Sequence, residues 1–157
     1  MHCVSWLVAG AIATVAQLLF ETIALALRLT RMSLPFLLGT AYTDNRSKAK
    51  VLGLLNHLLN GLIFAAIYIL FFNMLHPANW WFGGLLGFAQ GLIVLVLMMP
   101  LIPEVHPRMA TERQGPIVRR QLEPPGFLAL NYGPRTPLAI MASHILFGVV
   151  IGAVYHM

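Results

Sequence analysis

The chain has 157 residues, of which 59% are hydrophobic and only 10% are charged, and its mean hydropathy is +0.78. Since a soluble domain carries about 25% charged residues, this composition excludes an ordinary soluble protein and predicts one that resides in lipid. The formal net charge of +5 does not indicate a nucleic-acid partner, because the basic segments lack interleaved aromatic residues and any recognisable binding module.

Four apolar stretches are each long enough to cross a bilayer as a helix, which takes about 20 residues. The first, residues 6–27, is predicted to be a retained span and not a cleaved signal peptide, because no positive charge precedes it and its apolar run is too long. The other three comprise residues 51–72, 80–102 and 137–155. We therefore predict a single all-α transmembrane domain over residues 1–157, built as a four-helix bundle.

Two connecting loops, residues 28–50 and 103–136, contain every lysine and arginine of the chain. The positive-inside rule places such loops on the cytoplasmic side of the membrane. Because four spans separate the termini, both termini are then expected outside. The lipid bilayer is the first expected partner, and the basic loops are expected to touch its anionic headgroups.

The second and fourth predicted helices carry the same stripe of four residues, at steps of four, four and three. This spacing keeps a histidine, two small residues and a tyrosine on one helical face. The repetition predicts two duplicated helical hairpins, and the tyrosines are expected in the aromatic belt at the outer boundary. The two stripes are His57, Gly61, Ala65 and Tyr68, and His144, Gly148, Gly152 and Tyr155.

Glycines at intervals of four residues mark faces on which helices approach closely in lipid, where little hydrophobic drive exists between helices. We predict helix contacts at these glycines. Two such faces in so small a protein also favour assembly with other membrane subunits. The predicted packing residues are Gly61, Gly83, Gly87, Gly91, Gly148 and Gly152.

Three ionisable residues on three different helices share one depth. Glu21, His57 and His144 each lie seven to nine residues from a basic loop residue, which puts them about 10 Å inside the membrane at about 1.5 Å per residue. Titratable side chains at such a depth are costly and usually face the bundle interior. This layer is the candidate site of the chain.

Four interpretations of the layer remain open from the sequence. The three side chains could simply hydrogen-bond and fix the register of the helices. His57 and His144 could instead bind a tetrapyrrole, by clamping one heme iron or by each ligating a (bacterio)chlorophyll magnesium, with the flanking glycines making room for the flat ring. Glu21 and both histidines could ligate zinc or iron. Finally, the three residues could form a short path for protons or ions.

No nucleophile elbow, P-loop, dinucleotide fingerprint or metalloprotease motif occurs in the sequence, so an enzyme is not expected. With its small extramembrane mass, the chain is predicted to be a non-catalytic accessory or scaffolding subunit of a larger membrane complex, such as a respiratory or photosynthetic one. The alternative is a tetrapyrrole- or metal-binding, or proton-conducting, membrane protein that uses Glu21, His57 and His144.

Three loop segments carry a resemblance to other proteins. They are Leu34-Pro35-Phe36-Leu37-Leu38-Gly39-Thr40, His106-Pro107-Arg108-Met109 and the run from Pro124 to Gly133. Together with the two His-x3-Gly stripes, these segments resemble a group of small uncharacterised bacterial four-helix membrane proteins over nearly the whole chain. The resemblance implies the four-helix fold and a bacterial inner (cytoplasmic) membrane, and it implies no activity.

Overall fold

Helices make up nearly all of the regular structure in the computed structural model. It describes residues 3–75, 78–111, 116, 118 and 122–155, so part of the predicted loop 103–136 lies outside the described residues. Within these residues there is no strand, and four helices are long and apolar enough to cross a membrane. The prediction of an all-α chain with four spans is thereby confirmed, and these helices indicate a multi-pass membrane protein.

The second and third spans are longer than the apolar stretches predicted for them. The second span begins in the basic segment that was expected to be a loop, because α3 starts at Arg46. A short helix, α2, lies between the first two spans, and a short 3₁₀ helix precedes the fourth. The elements are α1 (Cys3–Ala26), α2 (Leu34–Thr40), α3 (Arg46–Leu75), α4 (Trp80–Ile93), a π-helical turn (Val94–Met98), α5 (Met99–Val105), the 3₁₀ helix (Phe127–Tyr132) and α6 (Thr136–Val154).

The third span is continuous from Trp80 to Val105, but it changes helix type in the middle. The backbone N–H of Met99 donates to the carbonyl of Val94, five residues back. Pro100 follows directly, and a proline has no N–H and clashes with the carbonyl four residues before it. The wider π turn accommodates this proline. Such turns occur frequently at functional sites.

The helices pack in the order α3, α1, α6, α4, and the backbones of α3 and α4 do not pack closely among the described residues. Two duplicated hairpins related by a two-fold axis would pair α3 with α4 as they pair α1 with α6. The helix contacts therefore depart from that symmetry, and the duplicated hairpin is not confirmed.

Two ends of the bundle are distinguished below. The terminal face is the end at which α1 and α4 begin and α3 and α6 end, and the basic face is the opposite end. Tyr68, Phe72 and Phe147 fill the interior towards the terminal face, with Tyr68 at 5.6 Å from Phe147 and 6.5 Å from Phe72 between ring centroids. Tyr68 is only 3% exposed. The expectation that it lies in an outer aromatic belt is therefore wrong.

At the basic face, α2 packs along the first turns of α3. An added Cβ at Gly39 would overlap the carbonyl oxygen of Ala49, and one at Gly53 would overlap the carbonyl oxygen of Pro35. This close approach brings Leu34 and the rest of α2 to the end of the bundle interior that is nearest the basic face. The short helix thus closes the bundle from the basic face.

His106 joins α2 to the end of the third span. Its Nε2–H donates to the carbonyl of Leu37 at 3.1 Å, and its Nδ1 accepts from the backbone N–H of Arg108 at 3.2 Å. The Arg108 guanidinium donates to the carbonyl of Thr40 at 2.6 Å. Burial of the ring lowers the pKa of His106, so the neutral ring makes these bonds. The segments around residues 34–40 and 106–109 therefore form one structural unit.

Candidate functional site

Two adjoining, partly open cavities lie between the aromatic residues and α2. The larger has a volume of about 110 Å³, and the smaller has a volume of about 30 Å³. Val94, Met99 and His144 line both, so the π turn forms part of the wall between them. Because a water molecule needs roughly 10–15 Å³ of such space, the larger cavity has room for several waters and the smaller for about two.

All four spans contribute polar side chains to the larger cavity. Gln17 comes from α1, His57 and Asn60 from α3, Gln90 from α4 and His144 from α6. Buried waters are stable only where two to four polar partners surround them. The lining meets that condition, so this cavity can hold water and not only apolar atoms.

His144 has a defined tautomer. Its Nδ1 lies 2.8 Å from the carbonyl oxygen of Ile140, one turn earlier on α6. Since a carbonyl can only accept, Nδ1 carries the hydrogen and Nε2 is the acceptor nitrogen of the neutral ring. The side chain is 5% exposed, and its position between the two cavities allows it to contact water in both.

His57 has an unsatisfied nitrogen. The residue is 5% exposed, and its buried Nε2 has no hydrogen-bond partner among the described residues. Leaving a buried polar atom unpaired costs about 1–3 kcal/mol. The ring lines the larger cavity, but Nε2 itself is covered, so a small movement of the ring is needed before water there can satisfy it.

Glu21, the titratable residue of the predicted layer that lies on α1, lines the smaller cavity. Gln17 and Ser143 lie within hydrogen-bonding range of its carboxyl group, and the Gln17 amide donates to the Ser143 hydroxyl at 3.5 Å. One carboxyl oxygen, Oε2, is buried without a hydrogen-bond partner in the described part of the chain. Two titratable side chains of the predicted layer therefore each have one unpaired buried atom.

Further hydrogen bonds extend from the larger cavity in both directions. Towards the basic face, the Asn60 amide donates to Asn56 at 3.0 Å, and Asn56 donates to the hydroxyl of the exposed Tyr42. Towards the terminal face, the Tyr68 hydroxyl donates to Gln90 at 2.6 Å. The polar side chains thus run from Tyr42 to Tyr68, where the aromatic cluster begins.

The six predicted packing glycines all face other helices of this chain. An added Cβ at Gly83 would overlap the carbonyl oxygen of Gly148, and one at Gly61 would overlap the hydroxyl of Thr14. The glycine faces are therefore filled internally. They provide no separate surface for another subunit, and the accessory role remains a prediction without this support. The other glycine contacts are Gly87 with His144, Gly91 with Met141 and Gly152 with Asn79.

The two ligand-binding interpretations fit this geometry poorly. The glycines next to the histidines hold helices together and leave no slot for a flat ring, and about 110 Å³ is well below the roughly 300–1,000 Å³ of ligand pockets. No three His, Cys, Asp or Glu side chains among the described residues are grouped so that they could hold a metal ion. Glu21, His57 and His144 share a layer but line two different cavities, since Glu21 is separated from His57 by His144.

Several features of the site were not predicted. The cavities, the position of α2 beneath them and the π turn all depend on which helices pack together. The Tyr68–Gln90 hydrogen bond also was not anticipated, because Tyr68 was assigned to the membrane boundary. The only local signal was Pro100 within an apolar run, which marks an interruption of the α-helix. No protein-family model, curated protein or solved structure was found to match the chain.

Proposed function

We propose that this protein conducts protons through the buried polar layer. The observation that supports the proposal is that Glu21 and His57, each with an unpaired buried atom, line two adjoining cavities, with His144 on the wall of both. Carboxylates and imidazoles are the side chains that exchange protons most readily near neutral pH. Hydrogen bonds that only fixed helix register would leave no such atoms unpaired.

In this proposal the proton moves between fixed side chains on intervening water. Water in the smaller cavity contacts Glu21 and His144, and water in the larger contacts His144 and His57. His144 accepts at Nε2 because its Nδ1–H is bonded to Ile140. Each acceptor takes one proton and returns one, so no other reactant is needed.

The aromatic cluster, formed by Tyr68, Phe72 and Phe147, blocks this path on the side of the terminal face. Beyond Tyr68 and Gln90, the rings of Phe72 and Phe147 separate the cavity from the next polar pair, the Tyr155 hydroxyl and Asn73 at 3.4 Å. Conduction therefore requires a motion of these rings that admits water. The resting protein would leak little, and the rate would be limited by the motion.

We also infer the topology and the origin of the chain's two halves. The positive-inside rule places the basic face in the cytoplasm and both termini outside, in a bacterial inner membrane. We retain a duplicated hairpin as the origin of the two stripes, with later divergence of the helix contacts.

Cysteine labelling tests the proposed topology. In a cysteine-free background, single cysteines are placed at Ser47 and Asn73, which are both exposed, and intact cells are treated with an impermeant thiol reagent. We expect labelling only at Asn73; labelling only at Ser47 would show that the topology is the opposite one.

The test is proton flux into liposomes that contain the purified protein and a pH-sensitive dye, driven by a potassium-valinomycin potential. We expect protein-dependent flux, and at least a tenfold reduction in Glu21→Gln and in His57→Gln. Both replacements keep hydrogen-bonding capacity and approximate size but remove titration. Absence of protein-dependent flux, or full flux in both variants, would overturn the proposal.

Thr22→Val is the matched control. Thr22 is adjacent to Glu21 on α1, but its side chain is exposed and donates to the carbonyl of Leu18 on its own helix. This replacement should leave the flux unchanged. Equal losses in Thr22→Val and Glu21→Gln would mean that the flux reports general damage to α1 and not proton transfer by the carboxyl group.

A further inference from the structure

A groove at the basic face adjoins the smaller cavity at Met32, and its charged lining is not explained by proton transfer. It has a volume of about 740 Å³, within the roughly 300–1,000 Å³ typical of ligand sites. The end of α1, the start of α2, the first turns of α3 and the segment around Tyr132 enclose it. Because it lies where two spans reach the edge of their apolar cores, it opens at the level of the membrane boundary.

The described side chains that line the groove are strongly basic. Arg31, Arg46 and Lys50 contribute three positive charges and Glu123 contributes one negative charge, so the net charge is 3 − 1 = +2. Arg31 is held on one wall by the carbonyl of Asn131 at 2.5 Å and by Glu123 at 3.5 Å. Its guanidinium is therefore already positioned towards the groove.

The opposite wall carries two cations without an anionic partner. Arg46 and Lys50 are one turn apart on α3, and the Arg46 guanidinium lies over the Phe36 ring at 5.5 Å from its centroid. Neither pairs with a carboxylate in the described part of the chain. Cations at the first turns of a helix oppose its dipole, so these two charges do not serve to stabilise α3.

Apolar side chains complete the lining. Met32, Pro35 and Phe36 lie beside the cations, and Tyr132 also lines the groove and donates its hydroxyl to the carbonyl of Glu123. A ligand that fits such a wall has an anionic group for the cations and an adjoining apolar part. A free anion would use only half of the surface.

We propose that this groove binds the phosphate of an anionic phospholipid headgroup, with the start of the acyl chains against α2. Arg31 and Arg46 both line the groove and offer planar paired donors, which suit the oxygens of a phosphate. Lys50 supplies a further charge, and Glu123 limits the affinity. The proposal rests on the groove alone and does not depend on the proton path.

Native mass spectrometry of the detergent-solubilised protein tests the site, with equal amounts of phosphatidylglycerol and phosphatidylcholine added. We expect the wild type to retain at least five times more phosphatidylglycerol than phosphatidylcholine. The double replacement Arg46→Gln/Lys50→Gln should abolish this preference. Glu123→Gln, which removes the only negative charge among the described lining residues, should strengthen it and tests the proposal with a protein whose basic residues are intact.

Lys48→Gln/Arg135→Gln is the matched control, because both residues are exposed and removing them lowers the net charge equally without touching the groove lining. This control should keep the lipid preference. Equal losses in both double variants would overturn the proposal in favour of general surface charge. Displacement of the lipid by millimolar inorganic phosphate would overturn the lipid assignment in favour of a free anion. The proton-flux measurement is separate, so either proposal can fail alone.

Discussion

Gly87 on α4 packs directly against the backbone carbonyl of His144 on α6. The same contact joins two spans and fixes the backbone that carries His144, which lines both cavities. Helix packing and site geometry are therefore coupled at one position. A substitution that separates α4 from α6 should therefore also move His144.

Gly87→Ala tests the helix contact on which this coupling depends. The added Cβ would overlap the His144 carbonyl oxygen and approach the Cα of Ile145, so α4 and α6 must separate. We expect the free energy of unfolding in mixed micelles to fall by about 1–3 kcal/mol, the usual cost of overpacking. Gly84→Ala is the control, because its Cβ would meet no backbone atom but only side-chain methyl groups, of Val149 at 3.1 Å and of Ile145 at 4.0 Å, and should have a much smaller effect. Equal losses would contradict the packing described.

Arg28 ends the first span in a left-handed conformation, with φ of +57°. The N–H of Leu29 donates to the carbonyl of Ala24, and that of Arg28 donates to Leu25, which is the Schellman arrangement that favours glycine. A residue with a Cβ costs roughly 1–2 kcal/mol in this conformation. Arginine at this position therefore reduces stability relative to glycine.

We expect Arg28→Gly to be more stable than Arg28→Ala by about 1 kcal/mol. Both variants remove the same charge, so their difference isolates the backbone conformation. Thermal unfolding of the two proteins in the same detergent measures it. If the two variants had the same melting temperature, the left-handed conformation at Arg28 would not have the expected cost in free energy.

The His106 junction should weaken in mild acid. The folded protein uses the neutral ring, because Nδ1 accepts from Arg108 and burial lowers the pKa below its ordinary value of 6.5. The unfolded chain therefore binds the proton more readily than the folded one. The contribution of His106 to stability is complete above about pH 6.5 and decreases as the pH falls from there to the folded pKa.

Comparison of the wild type with His106→Gln at pH 7.5 and pH 5.0 measures this contribution. Glutamine does not titrate, and its amide can still donate to Leu37. Other groups titrate in both proteins and cancel in the difference. We expect the wild type to lose more unfolding free energy than the variant between the two pH values; a difference that did not change with pH would exclude His106 as the cause.

The spans were predictable because a bilayer requires long apolar segments, which sequence displays directly. The start of α3 was not, because Arg46 and Lys50 belong to the helix, whereas hydropathy alone reads such charged residues as a loop. The glycine contacts follow from spacing, but the identity of each partner helix does not.

The candidate site was predicted only as a layer. Depth along a helix follows from residue counting, so Glu21, His57 and His144 could be assigned to one level. Whether they share a single space depends on helix order around the bundle, which places His144 between the other two. The sequence leaves open that the glycines accommodate a flat ring, and the fit of Gly61 against Thr14 argues against this.

The π turn also limits how this protein can vary. Because Met99 bonds five residues back to Val94, the third span holds one residue more than a uniform α-helix needs at this turn. Side chains on the two sides of the turn are therefore out of phase by one position. Apolar exchanges among Val94–Met98 preserve that phase, whereas gain or loss of a single residue would turn Met99 and all that follows away from the cavities. Chain length in these five positions is thus more strongly constrained than residue type.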